Sequence, residues 1–188
     1  MMWNLPYSVL VDGVDLEIEN DCDYRVVLDV LSVYEDVELD IQTQHRIALG
    51  IFYKEPQKIT NGDEAVRQMF RIIDCEIDEN ATPNTTEDTN GQRRLMCWSK
   101  DFKFIAPAVS RVLGYDVRMP KNTHWWTFYG AFLEIGECVW STFISIRKKR
   151  MNGQKLEEWE QKVYRDNKQD IDLPQNLTEQ DKEWLEDW

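Results

Sequence analysis

Thr123-His124-Trp125-Trp126-Thr127-Phe128-Tyr129 opens the most apolar stretch of the chain. It continues through Phe132, Ile135, Val139, Phe143 and Ile146 to the basic run Arg147-Lys148-Lys149-Arg150. Positions 125, 128, 132, 135, 139, 143 and 146 recur at intervals of 3, 4, 3, 4, 4 and 3 residues, which is one face of an α-helix. A second row, Trp126, Tyr129, Leu133, Trp140 and Ile144, carries apolar character around most of the circumference. The segment is therefore expected to be largely buried, with the other helices packed on it. Trp125, Trp126, Phe128, Phe132, Ile135 and Phe143 are the expected core. Gly136 suits a helix C′ position, and the spacing leaves open whether there is one helix or two. Glu134 and Glu137 argue against a membrane span, because each charge at a bilayer centre costs about 2.5–3.5 kcal/mol.

The chain has 188 residues and a net charge of −13, unevenly placed. Residues 1–40 hold eleven acids against Arg25 alone, residues 147–168 hold eight bases against four acids, and residues 169–188 hold seven acids against Lys182. Such a balance repels nucleic acid unless a basic face is segregated. Cys22, Cys75, Cys97 and Cys138 show no metal-ligand or CxxC spacing. The N-terminus lacks a basic region followed by an apolar run, so no secretion signal is expected and the thiols read as isolated buried groups in a reducing cytoplasm.

Tyr7 to Ile18 reads as a β-hairpin turning at Asp12-Gly13, with Tyr7, Val9, Val11, Val14, Leu16 and Ile18 on one face. A lone hairpin is marginal in water, so that face should pack on helices. Helices follow over about 23–36 (capped by Asp21 or Asp23), 43–54 (starting after Thr43) and 63–78 (capped by Asn61 or Asp63, with Ile77 on its apolar side). Residues 79–94 are polar and rich in turn formers, and read as a mobile loop. A helix is expected over about 101–113. Pro107 is tolerated best in a first turn, which argues for a later regular start, and Gly114 fits its C′ position. A charged helix over about 154–168 turns Leu156, Trp159 and Val163 to one side. After Pro174, a short tail helix carries Trp184, Leu185 and Trp188. The expected fold is mainly α. A single compact helical domain spans 1–174 with the N-terminal β-hairpin packed on it, and 175–188 is an acidic extension.

Little here reads as chemistry. There is no glycine-rich phosphate loop, GxSxG, HExxH or Cys/His cluster, so no catalytic, cofactor or metal residue is assigned and a non-enzymatic role is expected. His124, at the start of the aromatic segment, reads as a cap or packing residue, and His45 as a surface residue. Two readings of Arg147-Lys148-Lys149-Arg150 stay open. One is a docking patch for an acidic partner. The other is a helix C-terminal turn whose cations complement the dipole. If it is a patch, the acidic tail with Trp184 and Trp188 is a candidate to dock there, since 184 and 188 lie one helical turn apart.

Four stretches together resemble one family. They are Pro6…Val9-Leu10-Val11-Asp12-Gly13…Ile18 with Asp23-Tyr24-Arg25; Trp98…Asp101…Phe104-Ile105…Val109 ending Gly114-Tyr115-Asp116-Val117; His124-Trp125-Trp126-Thr127-Phe128; and Ile144-Ser145-Ile146-Arg147, then Lys155 to Lys168 and Leu173-Pro174. In this order, over about 6–174, they resemble the phage family named for gene product 15 of a Gram-positive siphophage, a group regarded as tail assembly chaperones. Departures are Pro107, Cys97 and Ser99 beside Trp98, and the extension 175–188.

The resemblance implies a helical, non-enzymatic protein without cofactor, made in the host bacterial cytoplasm. It would keep the tape-measure protein soluble while tail-tube protein polymerises around it, and would be absent from the mature virion. Self-association stays open. The alternatives are a head–tail joining or tail-completion subunit retained in the virion, and a nucleic-acid-binding phage protein using 147–150, against which the overall charge argues.

Overall fold

The computed structural model describes residues 4–76 and 95–173. Among them the protein is mainly helical, with eight α-helices and one antiparallel hairpin. Strand β1 (Ser8–Val11) pairs with β2 (Val14–Glu17) in the register Val9↔Leu16 and Val11↔Val14. Asp12 and Gly13 have φ of 48° and 81°, the left-handed pair that a type I′ turn requires. Val9, Val11, Leu16 and Ile18 are buried, while Tyr7, at the rim, stays half exposed with its ring edge-on to His124 at 5.5 Å.

Helix α1 (Tyr24–Glu35) is capped by Asp23, whose carboxylate accepts from the Arg25 N–H. Helix α2 (Ile41–Phe52) begins ahead of Thr43. Asp40 is its cap, accepting from the N–H groups of Gln42 and Thr43, so Thr43 lies in the first turn. Helix α3 (Gly62–Ile73) is capped by Asn61. It ends at Ile73 rather than near 78, because Cys75 turns left-handed at φ 57° and the Glu76 N–H folds back on Arg71 O at 2.9 Å.

Helix α4 (Trp98–Leu113) starts earlier than its sequence suggests and carries Pro107 in its interior. The early start has a tertiary cause: the Glu35 carboxylate, from the end of α1, accepts from the Trp98 N–H at 2.8 Å. Asp101 reaches back to the Cys97 N–H at 3.1 Å. Pro107 is tolerated because it and residue 103, whose carbonyl loses its partner, both lie on the exposed face where water can serve. Gly114, at φ 76°, closes the helix as expected.

The long apolar segment is two helices, α5 (Trp125–Leu133) and α6 (Val139–Met151), separated at Gly136 with φ 61°. The break turns Leu133 and Val139 outward, 64% and 56% exposed, although both belong to the apolar rows. Trp125, Phe128 and Ile135 join the larger buried cluster with the hairpin and α1–α4, and Trp126 and Phe132 pack half-buried against it. Phe143 and Ile146 instead form a smaller cluster with Ile171.

Helices α7 (Glu158–Asp166) and α8 (Lys168–Ile171) lie against this second cluster. α7 is turned from its expected orientation: Trp159 faces solvent and Glu160 is buried. The reason is that Glu160 both closes the capping box on Glu157, accepting from its N–H at 2.9 Å, and pairs with Lys149 on α6 at 2.7 Å. Ile77, the polar stretch 79–94 and the tail with Trp184 and Trp188 lie outside the described residues. Among the described residues no helix is long and apolar enough to cross a membrane.

Candidate functional site

His124-Trp125-Trp126 sits where three helix ends meet. The His124 Nδ1 accepts from the Trp126 N–H at 3.0 Å, which caps α5. Its Nε2, 2.9 Å from Pro6 O, must then carry the proton and donate, so the ring is a neutral linker between α5 and the N-terminal chain. Burial holds its pKa below the usual histidine value, in keeping with that form. The next two residues serve α3. Trp125 Nε1 donates to Ile73 O and Trp126 Nε1 to Ile72 O, both at 2.8 Å, so the two indoles hold carbonyls of the α3 C-terminus, where Ile72 O also accepts from the Cys75 N–H at 3.2 Å. Below them Tyr24 stacks on Phe128 with ring centroids 4.4 Å apart and planes within 6°.

The other distinctive segments converge on the same place. Besides capping α1, Asp23 accepts from the Thr123 N–H at 2.8 Å, and Tyr24 N–H donates to Thr123 O at 2.9 Å. The Arg25 guanidinium donates to Asp23, to Val117 O at 3.1 Å and to Met119 O at 2.7 Å. The Tyr24 hydroxyl donates to Val117 O at 3.0 Å. Segments 23–25, 117–119 and 123–126 therefore form one hydrogen-bonded hub, a structural use of the residues that made the sequence distinctive.

The basic run proves mostly structural. Arg147 is buried against Asp101, with Nη1 and Nη2 at 2.7 and 2.8 Å from the two carboxylate oxygens. It also donates to Ile171 O, Asp170 O and Leu95 O. Arg147 is thus no part of a docking ridge. Lys149 pairs with Glu160, which lowers the Glu160 pKa, and Arg150 pairs with Asp172 while lying 4.1 Å over the Tyr164 ring. Lys148 alone of the four is exposed with no partner among the described residues. Glu160 and Asp172 meet their cations because α7 and α8 fold back on α6, and Asp101 comes from α4; the tail with Trp184 and Trp188, expected to dock here, lies outside the described residues. Lys103 holds Asp170 at 2.6 Å. The Asp101–Arg147 pair and the Glu35 cap were invisible in the sequence, since partners 46 and 63 residues apart leave no local signal.

Two surfaces among the described residues bear on binding. One is a groove of about 630 Å3 between α2 and α3 over Leu49, Ile59 and Val66, with Gly50 and Gly62 in its walls. The other is the hairpin, whose outward side carries Leu10, 65% exposed, among Asp12, Asp15, Glu17 and Glu19. Among the described residues, Glu17 is the one of these acids with a cation in contact, Lys54 at 2.8 Å. Among the described residues no group of three His, Cys, Asp or Glu side chains is placed to hold a metal ion.

A family model described as bacteriophage Gp15 protein matches residues 1–173, nearly all of the chain. The chain belongs to the bacteriophage Gp15 protein family. No curated protein and no solved structure matches it. In this Gp15 family member, then, the buried charges and the His-Trp-Trp segment serve the fold.

Proposed function

We propose that this phage protein is a tail assembly chaperone, a non-enzymatic binding protein that keeps the tape-measure protein soluble in the host cytoplasm and leaves before the virion is finished. Membership of the Gp15 family over residues 1–173 carries the reading. The fold supports a binding role in one respect. Its buried ionisable side chains are committed to holding helices together: Asp23 at a cap, Asp101 to Arg147, His124 to Pro6 and Glu160 to Lys149. The nucleic-acid alternative loses support, because three of the four cations at 147–150 are engaged within the chain.

The test is co-expression with the tape-measure protein of the same phage, together with mass spectrometry of purified virions. The expected result is a soluble co-purifying complex and no peptide of this chain in virions. A tape-measure protein that stays insoluble would overturn the reading. Recovery of this chain from virions at the level of a tail component would replace it with the structural-subunit alternative.

A further inference from the structure

The backbone parity of the hairpin decides which groups of β1 face β2. The Ile18 N–H donates to Tyr7 O at 2.9 Å, which makes 7 and 18 a hydrogen-bonded pair. Such pairs alternate along an antiparallel ladder, so 9 with 16 and 11 with 14 are bonded as well. The N–H and C=O groups of Ser8 and Leu10 therefore point away from β2, along the outer edge of β1. None of these four groups has a hydrogen-bond partner among the described residues. The outer edge of β2 differs, since its Glu17 O is taken by the Lys54 N–H at 3.1 Å and Ile18 bridges Tyr53. Among the described residues, one edge of the two-stranded sheet is closed by the chain itself and the other, although α3 packs against β1, has no backbone partner. An open edge is a template for a further strand.

The charge around that edge selects what can pair with it. Leu10 lies opposite Asp15 and Ser8 opposite Glu17, so the outer face of the hairpin alternates one apolar or hydroxyl position with carboxylates. Asp12 in the turn and Glu19 beyond β2 add to them. Arg25, the only base in residues 1–40, is tied into the hub through Asp23 and three carbonyl oxygens. An added strand on β1 would lie about 10 Å, two strand spacings of roughly 4.8 Å, from the Asp15 and Glu17 row. That is within reach of lysine and arginine side chains and comparable to the screening length at physiological salt.

We propose that the outer edge of β1 docks an extended, lysine- or arginine-bearing segment of a partner protein as a third strand. The Ser8 and Leu10 backbone groups supply four hydrogen bonds, and the carboxylates of the outer face supply the selectivity. Pro6 at one end and the Asp12-Gly13 turn at the other restrict the docked segment to roughly the length of β1. A second copy of this chain does not suit the edge, because its β1 (Ser8–Val11) brings no lysine or arginine to meet the carboxylates, in a protein of net charge −13. The proposal does not depend on the tape-measure reading, and the two fail on different observations.

The test uses the full chain at low salt with three labelled hexapeptides: an alternating lysine–valine peptide, its glutamate–valine counterpart, and the lysine–valine peptide N-methylated on its pairing edge. Anisotropy gives affinity, and amide exchange followed by NMR locates the site. The expected result is binding of the lysine–valine peptide with slowed exchange at Ser8 and Leu10. The glutamate–valine and N-methylated peptides bind at least about tenfold more weakly, as the loss of backbone bonds or of charge complementarity requires. Leu10→Pro, which deletes one outward N–H, should weaken the lysine–valine peptide similarly. If that variant loses the hairpin by circular dichroism, the N-methylated peptide against the unaltered chain decides alone. Equal affinity for N-methylated and unmethylated peptides, protection that maps elsewhere, no binding, or a dimer in sedimentation whose contact protects Ser8 and Leu10 would each overturn the proposal.

Discussion

Arg147 and Asp101, 46 residues apart in sequence, form a two-pronged ion pair whose side chains are only 5% and 0% exposed. Arg147 also donates to carbonyls of Leu95, Asp170 and Ile171, so one guanidinium ties α4, α6, α8 and the segment before α4 together. Removing one partner of such a pair strands the other as a buried charge. Arg147→Ala is therefore expected to cost about 3–5 kcal/mol. Arg147→Lys should recover little of it, since an ammonium cannot reproduce the fork. Urea unfolding midpoints measure both, and an unchanged midpoint for the alanine variant would show that the pair is not buried.

The indoles of Trp125 and Trp126 separate packing from capping. Trp125→Ala removes a side chain that is 1% exposed and should cost about 3–5 kcal/mol. Trp126→Phe keeps most of the packing but removes one donor to Ile72 O, which retains the Cys75 N–H at 3.2 Å, for a loss of about 0.5–1.5 kcal/mol. The ratio of the two losses in denaturant titrations checks the assignment. A Trp126→Phe loss as large as that of Trp125→Ala would mean that Trp126 is core rather than cap.

His124 gives the fold a pH dependence of known sign. Burial lowers its pKa in the folded protein, so below the ordinary value of 6.5 the unfolded chain binds a proton that the folded one does not. Stability should fall as pH drops from 6.5 toward the depressed folded value, and be unaffected by this group above 6.5. His124→Asn keeps a capping acceptor without the titration and should flatten the dependence between pH 7 and 5. Thermal unfolding across that range reads it, and parallel curves for both proteins would contradict the buried neutral ring.

Gly136 tests the break between α5 and α6. Its φ of 61° lies in the left-handed region, while nothing stands within 4 Å of an added Cβ. Gly136→Ala should therefore cost only the backbone preference, about 1–2 kcal/mol. A much larger loss would show that the break is also sterically constrained.

Much of this architecture was legible along the chain. The period of two around Asp12-Gly13 set the hairpin and its buried face. Asp21 or Asp23 and Asn61 or Asp63 marked helix starts, of which the structure uses Asp23 and Asn61, Gly114 marked a stop, and the aromatic run around Trp125 marked the centre of the core. These features depend on contacts between residues near each other in sequence, where side-chain spacing and local hydrogen bonding decide the outcome. What the chain order could not supply were decisions made by distant partners. Glu35 moves the start of α4 back to Trp98 past an internal proline. Gly136 supplies the freedom to break the aromatic helix, but only packing decides that Leu133 and Val139 turn outward there. The same run of four bases could have been a docking ridge or a set of clamps. Packing of α4 on α6 brings Asp101, and folding of α7 and α8 back onto α6 brings Glu160 and Asp172, within ion-pair distance of three of them, which leaves Lys148 exposed with no partner among the described residues.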